Sequence, residues 1–356
     1  MYYGGWNYHV KSPHATSGLD PWMMLSEPWR MSLLFFISGA ALFYAWQRAQ
    51  SNSHVNVHRF LRRRSRQLLL PLLCGIVLIV PPQTYFEVRQ KFNYTGDFWD
   101  FLKLYFTHSQ VFCDGQTCLV MPTWNHLWFL PYLALYSVMV ILLFHSAPAV
   151  CNRIKAWLQS QPSRGQRSYA WLLYPIVWLT LLRIGLAEQF PSTHDFVHDF
   201  FNHARYFTVF SLGFGLAQMP DVWSHLASVR RPALALACTT WAMFLLTYHG
   251  APTFLLHTLR ACMQWSTVCA ILGYGWMHFN LDSVWRQRLS EAVFPVYLFH
   301  QTVLIVLSQY LLPLAMPPAL EALILIGGTL SISCLLYGMV RQIPWLRPWF
   351  GCRAAS

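Results

Sequence analysis

Charged residues are scarce in this sequence. Asp, Glu, Lys and Arg make up 11% of the 356 residues, whereas hydrophobic residues make up 55% and aromatic residues 17%. Soluble domains carry about 25% charged residues, and a chain with so few could not hide its apolar surface inside one soluble globule. The composition therefore predicts an integral membrane protein whose apolar side chains face lipid.

Several motifs that would indicate other chemistry are absent from the sequence. There is no glycine-rich phosphate loop of the GxxxxGK[ST] or GxGxxG kind, no GxSxG and no HExxH. The nine cysteines form no CxxC pair and no His/Cys metal spacing. These absences argue against ATP hydrolysis and zinc proteolysis, and we predict neither a metal nor a bound cofactor.

Nine apolar stretches are long enough, or nearly so, to cross a hydrocarbon core of about 30 Å. They lie near Met31–Trp46, Leu68–Pro82, His126–Phe144, Tyr169–Ala187, Ala204–Ala217, Pro232–Tyr248, Leu259–Phe279, Glu291–Leu312 and Ala319–Val340. No internal repeat and no long linker is evident, so we expect one membrane domain over residues 1–356. The predicted fold class is an all-α, polytopic transmembrane bundle of about nine helices.

The basic residues predict the orientation of this bundle. An excess of 25 Lys and Arg over 13 Asp and Glu could indicate nucleic-acid binding in a soluble protein, but here most of these residues lie in loops. Alternate loops hold 17 of them, at 48–66, 146–168, 219–231, 280–290 and 341–356; the remaining loops hold five. By the positive-inside rule the N-terminus is periplasmic and the C-terminus cytoplasmic, and no nucleic-acid partner is expected.

Two long outer loops follow from this orientation, at 1–30 and 84–125. Within the second, Phe98–Phe106 is aromatic and amphipathic, which is typical of a surface-lying or re-entrant segment. Cys113 and Cys118 lie close together in the same polar loop. If that loop faces an oxidising compartment, a short disulfide can form between them.

A cluster of arginines marks the predicted cytoplasmic mouth of the second span. It consists of Arg59, Arg62, Arg63, Arg64 and Arg66. Arg63 and Arg66 share one face of a helix, and two guanidinium groups on one face can hold a phosphate or pyrophosphate. The plainer interpretation is topogenic charge in contact with anionic lipid headgroups.

Two histidines are candidates for function because ionisable residues inside a membrane are costly. His126 begins the third span beside Trp128, so the imidazole can act as a base or bind a sugar on which the indole stacks. An interfacial aromatic belt is the alternative interpretation of this pair. His300 lies about nine residues into the eighth span, where it can contact substrate, shuttle protons or simply bond a carbonyl of a neighbouring helix.

Other polar residues complete the set of candidates. Arg30 abuts the outer end of the first span, and Tyr297 lies one turn before His300. Glu291 stands at the cytoplasmic end of the eighth span, where it can also serve to complement the helix dipole. With Trp128, these three are predicted to line an acceptor site or tunnel, while Gly39 in the middle of the first span indicates close helix packing.

An ordered set of segments resembles acyltransferase family 3, membrane O-acyltransferases with ten-helix cores. The segments are RMSLLFFISGAALFYAW, FLRRRSRQLLLP, VPPQTYFE, NHLWFLPYL and VYLFHQ. GWNYHVKS at Gly5–Ser12 is similar to a loop in the branch of glucans biosynthesis protein C, which modifies osmoregulated periplasmic glucans. The resemblance covers essentially the whole chain.

The resemblance implies a bacterial inner-membrane enzyme that moves an acetyl or succinyl group from a cytoplasmic acyl-CoA-type donor to hydroxyls of a periplasmic glucan. Acyl-CoA would be a co-substrate, bound through its phosphates by Arg62, Arg63, Arg64 and Arg66. Arg63 and Arg66 match the family's RxxR pair. Gln67 stands where relatives often have a basic residue, so Arg64 is an alternative partner.

One family motif has no counterpart in the sequence. On the first helix, the family has a basic residue followed after ten residues by the proposed catalytic His, and this chain begins after that helix. Nine helices would then be the ten-helix core without its first member, leaving His300 and His126 as catalytic candidates and setting His9 aside. The same spacing from Arg183 to His194 straddles a helix end and is taken as chance. A glycan transporter or flippase, or a truncated inactive family member, is the alternative function.

Overall fold

A computed structural model of the protein describes residues 2–6, 8–51, 56–108, 110–115, 117–147, 170–219 and 221–352, together with the single positions 149, 153 and 156. Most of the predicted cytoplasmic loop at 146–168 and the last four residues of the loop at 341–356 lie outside the described residues. The described part of the chain is mostly helical, which confirms the predicted all-α fold class.

The described helices follow the predicted apolar stretches. They are α1 (Asp20–Gln50), α2 (Val57–Cys74), α3 (Pro81–Lys91), α4 (Phe98–Thr107), α5 (Phe129–Ser146), α6 (Ala170–Leu186), α7 (Phe200–Leu216), α8 (Val222–Thr247), α9 (Thr253–Phe279), α10 (Val284–Leu311) and α11 (Pro318–Gln342). Between α4 and α5 lies a small hairpin of β1 (Cys113–Asp114) and β2 (Thr117–Cys118). Each of the nine predicted stretches overlaps one or two of these helices.

Not every helix that coincides with a predicted apolar stretch is long and apolar enough to cross a membrane. Among the described residues, four helical segments are long and apolar enough: Ser17–Gln50, Asn125–Ser146, Val284–Leu314 and Pro318–Gln342. A fifth candidate is the pair Val57–Ile79 and Pro81–Lys91, which is bent by 47°. The number of nine spans and the orientation of the termini therefore stay predictions.

Two predicted loop boundaries differ from the structure. The first helix begins at Asp20 rather than near Met31, so the loop predicted over 1–30 is shorter. The start of the loop predicted over 84–125 is helical, because α3 continues to Lys91. Both helices begin beside prolines, whose fixed φ suits a first helical turn. Boundaries drawn from apolar runs missed these polar helical turns.

One compact unit comprises Met1–Asp20, Ser65–Pro131 and Asp282–Ser356. Within it α10 packs against α11 and α3, and α3 contacts α4. One apolar cluster joins the N-terminal segment to α10 and α11 through Tyr2, Val10, Ile305, Leu311 and Leu325. Another lies around α4 and consists of Val88, Phe101, Tyr105, Phe112 and Met121. The N-terminal segment is thus part of the packed core of this unit.

The segment from α4 to the hairpin matches its sequence features. Asp97 caps α4 by accepting a hydrogen bond from the backbone N–H of Asp100 at 2.8 Å, and Phe101 and Tyr105 form the buried face. A disulfide joins Cys113 to Cys118 across the two strands, which pair antiparallel with these residues opposite each other. The amphipathic segment and the cysteine pair are therefore both present as expected.

The second compact unit comprises Pro21–Arg64 and Tyr132–Leu281. In it α9 packs against α8 and α6, and α6 contacts α7. The approach of α1 to α7 depends on two glycines. A Cβ atom on Gly39 would overlap the carbonyl of Phe210, and a Cβ atom on Gly213 would overlap the carbonyl of Phe36. The close helix packing predicted at Gly39 is therefore found, with Gly213 as its counterpart.

Candidate active site

The first unit brings His126 and His300 together. His126 belongs to the 3-10 turn Asn125–Trp128 that precedes α5, and His300 lies on α10. Their ring centroids are 5.4 Å apart. The Tyr297 ring lies 5.5 Å from each imidazole, and its hydroxyl donates a hydrogen bond to the carbonyl of His126. We call His126, Tyr297 and His300 the histidine cluster; it joins three residues that were singled out from the sequence.

Both ring nitrogens of His126 have hydrogen-bond partners. Nε2 lies 3.2 Å from the carbonyl oxygen of Leu298, and Nδ1 lies 3.4 Å from the amide nitrogen Nε2 of Gln83. A carbonyl only accepts and an amide nitrogen only donates, so the consistent neutral tautomer carries its hydrogen on Nε2. His126 is therefore held in place by two neighbours, and this suits a positioning role.

His300 is held through one nitrogen only. Its Nδ1 lies 2.7 Å from the carbonyl oxygen of Tyr297, to which it donates. The hydrogen on Nδ1 leaves a lone pair on Nε2, and no hydrogen bond to Nε2 occurs within the described part of the chain. A neutral imidazole that is oriented through one nitrogen and open at the other has the form of a general base.

A network of amides and a hydroxyl supports the histidine cluster. Gln83 on α3 is fully buried and lies at its centre. Its Nε2 donates to Thr302 Oγ1 at 2.6 Å, and its Oε1 accepts from Asn125 and Gln301, each at 3.3 Å. Thr302 in turn donates to the carbonyl of Ile79 at 2.7 Å. Sequence reasoning did not select these residues, although Gln83, Asn125 and Gln301 lie inside motifs already quoted and Thr302 directly follows one.

A third histidine comes from the N-terminal segment. Nδ1 of His9 lies 2.5 Å from Oε2 of Glu87, and Lys91 donates to the other carboxylate oxygen at 2.7 Å. The Glu87 side chain is only 7% exposed. His9 also lies within electrostatic range of His126. A carboxylate that accepts the Nδ1 hydrogen orients an imidazole and leaves Nε2 as the basic nitrogen. Sequence reasoning set His9 aside because it is not the histidine of the family's first-helix motif.

The arginine cluster lies on α2, as expected. Arg63 and Arg66 are one turn apart and both are exposed, as is Arg62, whereas Arg64 is half-buried. No carboxylate of the described residues lies within the 4.0 Å of an ion pair from any of these four guanidinium groups. These arginines are thus not neutralised by the described carboxylates of their own chain.

Among the other predicted residues, Glu291 stands apart from the histidine cluster. Glu291 precedes His300 by nine residues on α10, which places it about 13 Å away along the helix axis. Trp128 is half-buried two residues after His126. Arg30 is exposed on α1 and belongs to the second unit. Within the described residues no group of three or more His, Cys, Asp or Glu could hold a metal ion.

Comparison with known proteins identifies the family. The family model described as an acyltransferase domain, acyltransferase family 3, matches residues 3–338. No curated protein and no solved structure matches the chain. The matched region contains the histidine cluster, His9 with Glu87, and the arginines of α2. The chain therefore belongs to acyltransferase family 3 and is a multi-pass membrane acyltransferase that transfers a group other than an amino-acyl group.

Proposed function

We propose that this protein transfers an acetyl or succinyl group from a cytoplasmic acyl-CoA-type donor to hydroxyl groups of a periplasmic glucan in the bacterial inner membrane. The observation that carries the proposal is the state of His300. Its imidazole is oriented by the Tyr297 carbonyl at 2.7 Å and keeps a lone pair on Nε2. An acyl transfer to a hydroxyl needs such a group to accept the hydroxyl proton.

The reaction can be written with this one base. Nε2 of His300 accepts the proton of the acceptor hydroxyl while the hydroxyl oxygen attacks the thioester carbonyl carbon. The carbon–oxygen bond forms, the carbon–sulfur bond breaks, and the CoA thiolate leaves. The imidazolium then returns its proton to the thiolate, which restores neutral His300. His9, held by Glu87, is the second group in this unit with the form of a base.

The arginines of α2 support the assignment of the donor. Arg63 and Arg66 project from one face of the helix, are exposed and have no carboxylate partner among the described residues. CoA carries several phosphate groups, and guanidinium groups bind phosphate oxygens through two parallel hydrogen bonds. A basic helix end next to an apolar helical stretch is a suitable place for the polar part of the donor.

Two features support a periplasmic acceptor. GWNYHVKS resembles a loop of enzymes that modify periplasmic glucans, and its His9 lies beside Glu87 in the first unit. The disulfide between Cys113 and Cys118 is of a kind that persists in oxidising compartments such as the periplasm. The loop that carries this disulfide lies on the side that the positive-inside rule predicts to be periplasmic.

Acyl transfer in membranes tests the proposal. Membranes that contain the full chain are supplied with labelled acetyl-CoA or succinyl-CoA and purified glucan, and the labelled glucan is measured. We expect Arg63→Ala and Arg66→Ala to lose most of the product, while the amount of protein in the membrane stays normal. Arg288→Ala is the control, because Arg288 is exposed on another helix.

The outcomes separate the parts of the proposal. Full activity in both arginine variants would overturn the donor site. Transfer to glucan from only one of the two donors would identify the acyl group. Movement of labelled glucan across the membrane without any acyl donor would overturn acyl transfer as the function and favour transport instead.

A further inference from the structure

Two arginines are buried inside the second unit. Arg183 on α6 and Arg205 on α7 are each 4% exposed. Their guanidinium carbons lie 5.6 Å and 5.9 Å from the centre of the Phe201 ring, and that of Arg205 lies 4.7 Å from the centre of the Tyr206 ring. Arginine remains charged at any ordinary pH, so this site carries two positive charges in an apolar surrounding.

One chain of hydrogen bonds connects the two guanidinium groups. Nη2 of Arg183 donates to Oε1 of Gln264 at 3.0 Å, and Nε2 of Gln264 donates to Oγ of Ser32 at 2.9 Å. Ser32 donates to the carbonyl of Pro28 at 3.3 Å, and Nη2 of Arg205 donates to the same carbonyl at 2.9 Å. Four helices take part in this network. The arginines lie on α6 and α7, and residues of α1 and α9 hold them in place.

Each of these arginines keeps an unused donor. The Nε–H groups of Arg183 and Arg205 are buried and have no hydrogen-bond partner in the described part of the protein. No described carboxylate lies within the 4.0 Å of an ion pair from either group. Buried charges in proteins are normally paired and buried donors are normally bonded. Arg183 and Arg205 lack both an ion-pair partner for the charge and a hydrogen-bond partner for the Nε–H donor among the described residues.

The surrounding charges do not neutralise the pair. Arg260 on α9 adds a third positive charge within electrostatic range of Arg183, and Glu27 on α1 lies in the same range. The carboxylate of buried Asp199 accepts hydrogen bonds from Tyr132 at 2.7 Å and from Asn202 at 3.0 Å, and it makes no ion pair within 4.0 Å with either arginine. Arg183 and Arg205 therefore have no direct counter-ion among the described residues of this unit.

We propose that Arg183 and Arg205 form a buried binding site for a small oxyanion, either a carboxylate or a phosphate group of a ligand. The free Nε–H of each guanidinium, together with the second hydrogen of Nη2, whose other hydrogen is used in the network, can form a side-on fork that matches two oxygens of such a group. The network through Gln264, Ser32 and Pro28 holds both forks before the ligand arrives. The proposed oxyanion site does not depend on whether the acceptor of the acyl group is a glucan.

Ligand-dependent stabilisation of the full chain tests this site. The purified protein in lipid nanodiscs is heated in chloride, succinate or inorganic phosphate at equal ionic strength, and unfolding is followed by tryptophan fluorescence. A ligand that binds only the folded state raises the midpoint. We expect succinate or phosphate to raise it by about 3–8 °C relative to chloride. The double variant Arg183→Gln with Arg205→Gln should lose this difference.

Two further variants keep the test decisive. Arg286→Gln removes the same charge from an exposed arginine paired with Asp282 and should retain the full shift. Arg205→Lys keeps the charge but loses the fork, so it should weaken binding about tenfold even if the double variant does not fold. Equal thermal midpoints of the wild-type protein in all three salts would overturn the proposed site. So would a ligand-induced rise of the midpoint in Arg205→Lys that equals the rise in the wild-type protein.

The same measurement identifies the source of the oxyanion. A shift with succinate and succinyl-CoA, but not with phosphate or CoA, assigns the site to a carboxylate on the acyl group. A shift with phosphate and CoA assigns it to a phosphate. Both results support the site, and both can be obtained from protein that shows no acyl transfer, so failure of the proposed function remains distinguishable.

Discussion

Nδ1 of His9 lies 2.5 Å from Oε2 of Glu87, although 78 residues separate the two in the chain. Lys91 donates to the other oxygen of the same carboxylate at 2.7 Å. The N-terminal segment is thereby attached to α3, which also contributes Gln83 to the support of His126. The pair places an oriented imidazole in the same unit as the histidine cluster.

We expect His9→Asn to lower the rate of acyl transfer by up to about 10²-fold, less than the loss of His300, because His9 with Glu87 is a second proton acceptor beside the base of the reaction written above. Glu87→Gln should lower it less, since the amide oxygen still accepts the hydrogen bond but no longer stabilises an imidazolium. The initial rate in membranes, measured against pH, is the readout. His14→Asn is the control because His14 is exposed in the same segment. Equal rates in the His9 and His14 variants would show that His9 has no part in the reaction.

The two histidines of the histidine cluster should respond differently to substitution. His300→Gln removes the open Nε2 and should lower kcat by about 10²–10⁴-fold with little change in folding. His126→Gln removes a ring that is bonded at both nitrogens to Leu298 and Gln83. It should chiefly lower thermal stability, by about 1–3 kcal/mol. Steady-state kinetics and thermal unfolding of both variants decide this, and the reverse pattern would make His126 the base.

The contact between α1 and α7 predicts opposite effects for two neighbouring glycines. Gly213→Ala adds a Cβ atom against the carbonyl of Phe36 and should destabilise the protein by about 1–3 kcal/mol. Gly215→Ala, on the same helix, meets nothing within 4 Å and should be neutral or slightly stabilising. The thermal midpoints of the two variants measure the difference. Similar thermal midpoints of Gly213→Ala and Gly215→Ala would mean that α1 and α7 can move apart with little loss of stability.

Tyr2 predicts a loss of stability at alkaline pH. Burial, with a smaller effect from the charge of Glu321, raises the pKa of Tyr2 to about 12, whereas an unperturbed tyrosine has a pKa of about 10. The hydroxyl donates to Glu321 Oε1 at 3.2 Å in the folded state. The folded state therefore keeps its proton where the unfolded state loses it. The contribution of protonated Tyr2 to the stability of the folded state is complete below about pH 10 and disappears as the pH rises towards 12.

Tyr2→Phe should remove this part of the pH dependence. Thermal midpoints at pH 8 and pH 11 should differ less in Tyr2→Phe than in the wild-type protein, and the variant should be less stable at pH 8 because Glu321 loses a partner. Tyr310→Phe serves as the control because Tyr310 is 73% exposed. A pH dependence that is identical in Tyr2→Phe and the wild-type protein would contradict the prediction.

Elements that depend on local sequence could be predicted. The apolar stretches located the helices because burial of apolar side chains in lipid has little dependence on the partner helix. The amphipathic segment at Phe98–Phe106 and the pair Cys113 and Cys118 were recognised because all of the information lies within a few residues. The helical turn before Met31 was missed because its polar residues, such as Glu27, interrupt the apolar run without interrupting the helix.

Residues whose role depends on distant partners could not be assigned in the same way. Gln83 and Thr302 are ordinary polar residues in the sequence, and only their hydrogen bond at 2.6 Å shows that they support one site. His9 was set aside because it is not the family's motif histidine, and its pairing with Glu87, 78 residues further along the chain, is visible only in the structure.

The sequence by itself determined the all-α fold class, because a chain with 11% charged residues and long apolar stretches can satisfy its backbone in lipid only within helices or closed barrels, and its apolar stretches have helical length. It also led to the family through the order of its motifs. Only the tertiary structure decided which histidine keeps an open nitrogen and that Arg183 and Arg205 share one buried network. Those properties depend on side chains from several helices meeting in space, and no local pattern encodes such meetings.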